Sequence, residues 1–206
     1  MNKKTLIIVV IVGIIALVLG IVSGYNSASK QDESKQEVSK TSNLNINTAE
    51  DLTTLVNKIY DGISIEMPML QTMPLESTDT DMVKIFTGLD SSENIEYVVA
   101  SEPMMSSQAY SLVLVKVKDG ADANAMAKTM NENIDERKWI CVTAEKIYTT
   151  TSGNVICLVM TNADTAQPVF DSFKTIAGSV GNVYERTAEE VELPDDMLPG
   201  QDGLAY

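Results

Sequence analysis

The chain has 206 residues, a formal charge of −14 and no histidine. That length holds one domain of ordinary size with a real core, and the acidity excludes nucleic acid, whose binding rests on Lys and Arg neutralising phosphates. The missing histidine removes Ser-His and Cys-His nucleophile activation together with the usual His-containing zinc sites.

Thr5 to Tyr25, "TLIIVVIVGIIALVLGIVSGY", carries no charge over 21 residues. As a helix it would span roughly 30 Å, enough to cross the hydrocarbon of a bilayer. A cleaved signal peptide has a shorter apolar core. Val22-Ser23-Gly24 would serve as a small-residue cleavage site, but the length favours an uncleaved anchor, and no cysteine near residue 20 offers lipoprotein attachment. Lys3 and Lys4 precede the segment closely, whereas Lys30, Lys35 and Lys40 follow at a distance. This modest bias places the N-terminus inside and the domain outside, with the reverse orientation left open. Gly20 and Gly24 match a small-xxx-small helix-pairing pattern, although glycine is common in such helices.

Residues 26–47 are polar and charge-mixed, too poor in apolar side chains to offset chain entropy. They are expected to form a flexible tether with ends roughly 25 Å apart. A Ser27-x-x-Lys30 spacing lies in this tether, where nothing would hold a catalytic geometry.

The folded region is expected to open at Thr48, with Asp51 at capping-box spacing. Leu52, Leu55, Val56, Ile59, Tyr60 and Ile63 then form one helical stripe. A shorter helix is predicted from Asp79 to Thr87, ending at Gly88. Between them "EMPMLQTMP", Glu66 to Pro74, reads as a connection, its methionines and prolines forming an apolar strap over the sheet or its edge.

"NIEYVVAS" and "YSLVLVKVK" have strand composition. A half-buried helix follows, with Ala123, Met126, Ala127, Met130 and Ile134 on one face. "EKIYTTTSGNVICLVMT" is a hairpin; with Ser152-Gly153 as its turn, Cys157 would face Tyr148. Cys141 then lies seven residues farther along, beyond disulfide reach, and both cysteines are read as separate buried thiols. The last helix has Pro168 in its first turn and stops at Gly178.

The order is two leading helices and then ββα-ββα, an α+β domain with helices packed on an antiparallel sheet. Leu112 to Val115 and Ile156 to Met160 lack polar alternation, so part of the second sheet face should also be covered, by the leading helices or another subunit. The expected organisation is an anchor over 1–25, a tether over 26–47, the α+β domain over 48–183 and an acidic, extended or disordered tail over 184–206. "LPGQD" in that tail has only a superficial likeness to a wall-sorting signal, because the threonine-glycine pair and the following apolar stretch are absent.

The run "IFTGLDSSENIEYVVASEPMMSSQAYSLVLVKVKDGADANAMAKTM", followed by "SGNVICLVM", resembles a family of domains of unknown function in membrane-anchored or lipoprotein-like proteins of Firmicutes. The similarity covers about Ala49 to Ala177 and rests on a progression of Met-Pro segment, "GLD" turn, "PM" strand end, "VKVKDG" strand exit, helix and hairpin, none of them diagnostic alone. It implies an extracytoplasmic domain of a Gram-positive cell envelope and supplies no catalytic residues.

Three functions are therefore open, the last of them an enzyme using carboxylates alone, for which the sequence names no convergent pair. The first is a non-catalytic, single-pass membrane-anchored module that binds or assembles in the envelope, held to lipid through residues 5–25, with an envelope protein as possible partner and no cofactor. The second arises from the eleven methionines. Met67, Met69, Met73, Met104 and Met105 fall beside prolines in or near loops, and of these Met67, Met69 and Met73 would offer soft thioether ligands to Cu(I) or Ag(I), whereas packing is the bland account of the same residues. No phosphate-cradling glycine loop, calcium loop or convergent carboxylate pair is present; Asp79-Thr80-Asp81 reads as helix-start acids.

Overall fold

A computed structural model describes residues 44–188. The segments expected to form the anchor, most of the tether and the end of the tail lie outside the described residues. Among the described residues no helix is long and apolar enough to cross a membrane.

The first helix, α1 (Ala49–Asp61), starts as its capping signals require. Thr48 Oγ1 accepts from Asp51 N at 3.2 Å and the Asp51 carboxylate accepts from Thr48 N at 2.9 Å, which satisfies donors that have no partner inside the helix. Leu52, Leu55, Val56 and Ile59 are its buried stripe. The chain then enters β1 (Leu70–Leu75), α2 (Thr80–Thr87), β2 (Ile95–Pro103) and β3 (Tyr110–Val117). After α3 (Ala123–Asn133) come β4 (Lys146–Ser152), β5 (Val155–Thr161), α4 (Ala163–Ala177) and β6 (Tyr184–Thr187).

The six strands form one sheet in the order β1-β2-β3-β5-β4-β6, with every neighbouring pair antiparallel. Because side chains alternate along a strand, the sheet has two apolar faces. On one, α1 and α4 lay Leu52, Val56, Ile59, Val169, Phe170 and Phe173 over Leu112, Leu114, Cys157 and Val159. On the other, Val83 of α2 and Ala127 and Met130 of α3 cover Val98, Val113, Val115, Ile156 and Leu158. The unalternating runs are thus explained by helices on both sides. The fold is α+β with three layers, and the two leading helices divide between the faces: α1 joins α4, and α2 joins α3.

Several expectations need correction. The "EMPMLQTMP" connection is not a strap over the sheet, since Leu70 to Leu75 are its edge strand, paired with β2 from Leu70↔Pro103 to Leu75↔Val98. Pro74 is tolerated there because an edge strand needs backbone donors on one side only. Tyr184–Thr187 is not part of a tail: it pairs with β4 at the opposite edge, where Lys146 Nζ reaches Glu185 at 2.6 Å and Thr187 at 2.8 Å. At the other end the folded part begins before Thr48, because Ile46 is already buried against α1's core. The folded domain therefore extends beyond residues 48–183 at both ends.

The β4–β5 turn is Gly153-Asn154 rather than Ser152-Gly153, with Ser152 paired to Val155. Gly153 has φ 58° at the first central position, where a type II′ turn needs glycine. The register moves accordingly, and Cys157 faces Thr150, not Tyr148. Both cysteines are free, but only Cys157 is buried; Cys141 is exposed, in a loop away from the core. Pro168 is not in the first turn, because Asn162 caps α4 at Ala163 and puts the proline a turn deeper. The carbonyl it cannot satisfy belongs to Asp164, which is exposed to water.

Candidate binding groove

Gly88 ends α2 with φ 74°, a left-handed conformation that L side chains avoid. Its backbone also comes so close to α3 that an added Cβ would lie 2.6 Å from Ile134 N. This contact draws α2 against the C-terminal end of α3. Beside it lies a groove of about 770 Å³, lined by Asp81, Lys84, Ile85, Asp90, Asp135 and Lys138 with Gly88 and Asn133. The volume is in the range that holds small molecules or a few side chains of a partner.

Lys138 forms the inner wall. Its Nζ turns away from the groove, donating to Glu102 Oε1 at 2.7 Å and to Ser111 Oγ at 3.2 Å. Ser111 itself donates to Glu102 Oε1 at 2.5 Å, and the Trp139 indole donates to Oε2 at 3.1 Å. Glu102 and Ser111 are cross-strand neighbours, because Ser101 pairs with Leu112 in the β2–β3 ladder. The ammonium also lies 4.7 Å from the Phe86 ring centroid and 5.3 Å from that of Trp139. Burial pushes Lys138 below its usual pKa, while the Glu102 carboxylate beside it favours the charged form. Ser111 and Lys138 have the distance of a Ser-Lys pair, yet the hydroxyl is fully buried and directed at a carboxylate. The cluster pins the loop after α3 to the sheet.

With Lys138 engaged inward, the groove's charge is set by the other side chains. Lys84 is bridged to Asp90 at 2.7 Å. Asp81 and Asp135 have no salt bridge among the described residues, and Ile85 on the same lining is 51% exposed. The opening is thus acidic with an apolar wall. None of these residues was a candidate in the sequence, where Asp81 read only as a helix-start acid. The signal available was Glu102 at the end of an apolar strand and a lone tryptophan next to a lysine in a polar stretch.

The methionines named from sequence are not brought together. Met67 packs partly buried on the α1–α4 face. Met73 shares the alternation of Leu75, which packs on the α2–α3 face, so it lies on the opposite side of the sheet. Met69 is 75% exposed, one residue before β1. Among the described residues no group of three or more Cys, Asp or Glu side chains is placed to hold a metal ion. On the α1–α4 face, Tyr110 Oη donates to Tyr60 Oη at 3.1 Å, and burial pushes the Tyr60 phenol up to about 12.

No protein-family model, no characterised protein and no solved structure matches the chain.

Proposed function

We propose that the chain is a single-pass membrane-anchored module that displays its α+β domain on the outer side of the cell membrane. There it binds, without catalysis, an envelope partner through the groove beside α2. The location rests on the uncharged 21-residue run at Thr5 to Tyr25 and the lysines before it. The binding role rests on one observation above all: both groove lysines are engaged, Lys84 by Asp90 and Lys138 by Glu102, each at 2.7 Å. That leaves Asp81, Asp135 and Ile85 facing outward. Such a surface favours a partner segment with Lys or Arg next to an apolar side chain, the charge giving orientation and the apolar contact affinity.

The test is photo-crosslinking in native membranes with a benzophenone amino acid at Ile85 of the full chain, and at Lys58 on the other face as control. A product formed at Ile85, absent at Lys58 and lost when Asp81→Lys and Asp135→Lys are added, is the expected result. Equal labelling at both positions, or a product indifferent to charge reversal, would reject the groove.

A further inference from the structure

Burial accounts for most of the methionines the structure describes. Met130 and Met160 are fully buried, Met67 and Met126 pack against the two cores, and Met73 and Met82 are half-buried. Three others are left unburied: Met69, Met104 and Met105 are 75%, 61% and 66% exposed. Packing does not explain them, and they are not scattered. Leu70↔Pro103 is the last pair of the β1–β2 ladder, and one step beyond it Met104 N donates to Met69 O at 3.0 Å. Residues opposed in this hydrogen-bonded way have Cα atoms about 5.5 Å apart and side chains on the same face. Counting in twos from Gln71↔Glu102, that face is the one on which Lys138 and Trp139 contact Glu102. Met105 follows directly in the β2–β3 turn.

The loop after α3 reaches this same end. Ile140 N donates to Ser106 O at 3.1 Å, which brings exposed Cys141 to the rim of the methionine cluster. Cys141 has φ 60°, and among the described residues it is the one non-glycine with positive φ. A residue held in that region is a cost the surrounding fold imposes.

We infer that Met69, Met104, Met105 and Cys141 form a binding site for a soft monovalent metal ion, Cu(I) or Ag(I). Thioethers and a thiolate are the donors such ions prefer, and the methionines need no deprotonation to bind. The Cys141 thiol transfers its proton to solvent as its sulfur takes the metal, so the thiolate neutralises the cation's single charge. The inference is independent of the groove. It replaces Met67 and Met73, which sit on opposite faces of the sheet, with residues that two backbone hydrogen bonds hold at one end of it.

The test uses the full chain in detergent under reducing, chloride-free conditions, titrated with Cu(I) in competition with bicinchoninate or with silver nitrate alone. The chain should hold about one equivalent and release about one proton on binding. Met69→Leu with Met104→Leu should weaken binding about tenfold or more. Cys141→Ser should weaken it and abolish the proton release, whereas Met67→Leu with Met73→Leu should change nothing. A maleimide, which in the folded chain reaches Cys141 and not buried Cys157, should be blocked by bound metal. No binding by the wild type, binding unchanged in the Met69/Met104 variant, or labelling of Cys141 unaffected by metal would each overturn the site.

Discussion

Gly88 and Ile134 meet backbone to backbone: a Cβ on Gly88 would come within 2.6 Å of Ile134 N and 2.8 Å of Asn133 C. Neither neighbour is a flexible side-chain end, and Gly88 has φ 74° as well. Gly88→Ala should therefore combine a conformational cost of about 1 kcal/mol with displacement of α2 from α3, for a loss of about 3 kcal/mol or more. Gly120, at φ 85° with nothing within 4 Å of its Cβ position, separates the two contributions. Gly120→Ala should lose only the conformational part, about 1 kcal/mol, in urea denaturation. Equal losses at the two positions would mean that the α2–α3 contact is not tight.

The Lys138–Glu102 pair predicts an asymmetry between breaking one partner and replacing both. Glu102 accepts from Lys138, Ser111 and Trp139. Glu102→Ala removes the carboxylate that all three share and leaves the ammonium with only its bond to Ser111 Oγ and no counter-charge, at a cost of about 3–5 kcal/mol. Adding Lys138→Met should restore a large part of that loss, because the buried charge is gone. Trp139 is the chain's single tryptophan, so its emission reports the loop directly. It should shift to the red in Glu102→Ala before global unfolding. A double variant as unstable as the single one would show that the ion pair itself, and not the orphaned charge, carries the stability.

Arg186 lies in β6, yet its contacts are to α3 and the turn after it. Nε donates to Asn131 O at 2.8 Å, Nη2 to Ile134 O at 2.6 Å and Nη1 to Glu136 Oε2 at 2.8 Å. It satisfies carbonyls that a helix end leaves without partners. Asn131 ties the same place to the sheet, donating to Ile147 O, Thr149 Oγ1 and Tyr184 O at 3.2 Å each. Arg186→Ala should cost about 2–3 kcal/mol, the range of charge-assisted hydrogen bonds. A chain ending at Ala188 should keep the full-length melting temperature, and one ending at Val183 should lose several degrees. Matching melting curves for the two truncations would return β6 to the tail.

These residues also show what was legible from sequence and what was not. The stripe of Leu52, Leu55, Val56 and Ile59, the Thr48–Asp51 box and the glycine stops at Gly88 and Gly178 are local signals, and the helices they mark are present. Central strands β3 and β5 are apolar on both faces, so their composition declares them. The edge strands declare nothing. β1 contains a proline and one partly exposed methionine, and β6 is "YERT" among acids; each pairs on one side only and is fixed by its neighbour. The groove was invisible for a related reason: Glu102 and Lys138 are 36 residues apart, and no local pattern joins them. The methionine cluster was half legible, in that the residue type was singled out but the grouping followed sequence proximity instead of strand register.

The Arg186–Glu136 contact gives the stability a pH dependence of definite sign. Burial acts to raise the Glu136 pKa, but the Arg186 hydrogen bond, the Glu136 backbone and the nearby charges of Arg186 and Arg137 outweigh it. The carboxyl is held below its ordinary 4.5. A depressed carboxyl pKa means that the unfolded chain binds the proton more readily. The stabilisation is therefore present above the ordinary value and disappears as pH falls through the lower, folded one. Glu136→Gln should be less stable than wild type at pH 7, by about 1 kcal/mol. The gap should narrow below pH 4.5 and close in stronger acid, measured as urea midpoints across the range. In Arg186→Ala the same glutamine substitution should cost little at any pH, because the partner that depresses the pKa is absent. A Glu136→Gln deficit that persists undiminished in acid would assign the contact's value to packing rather than to charge.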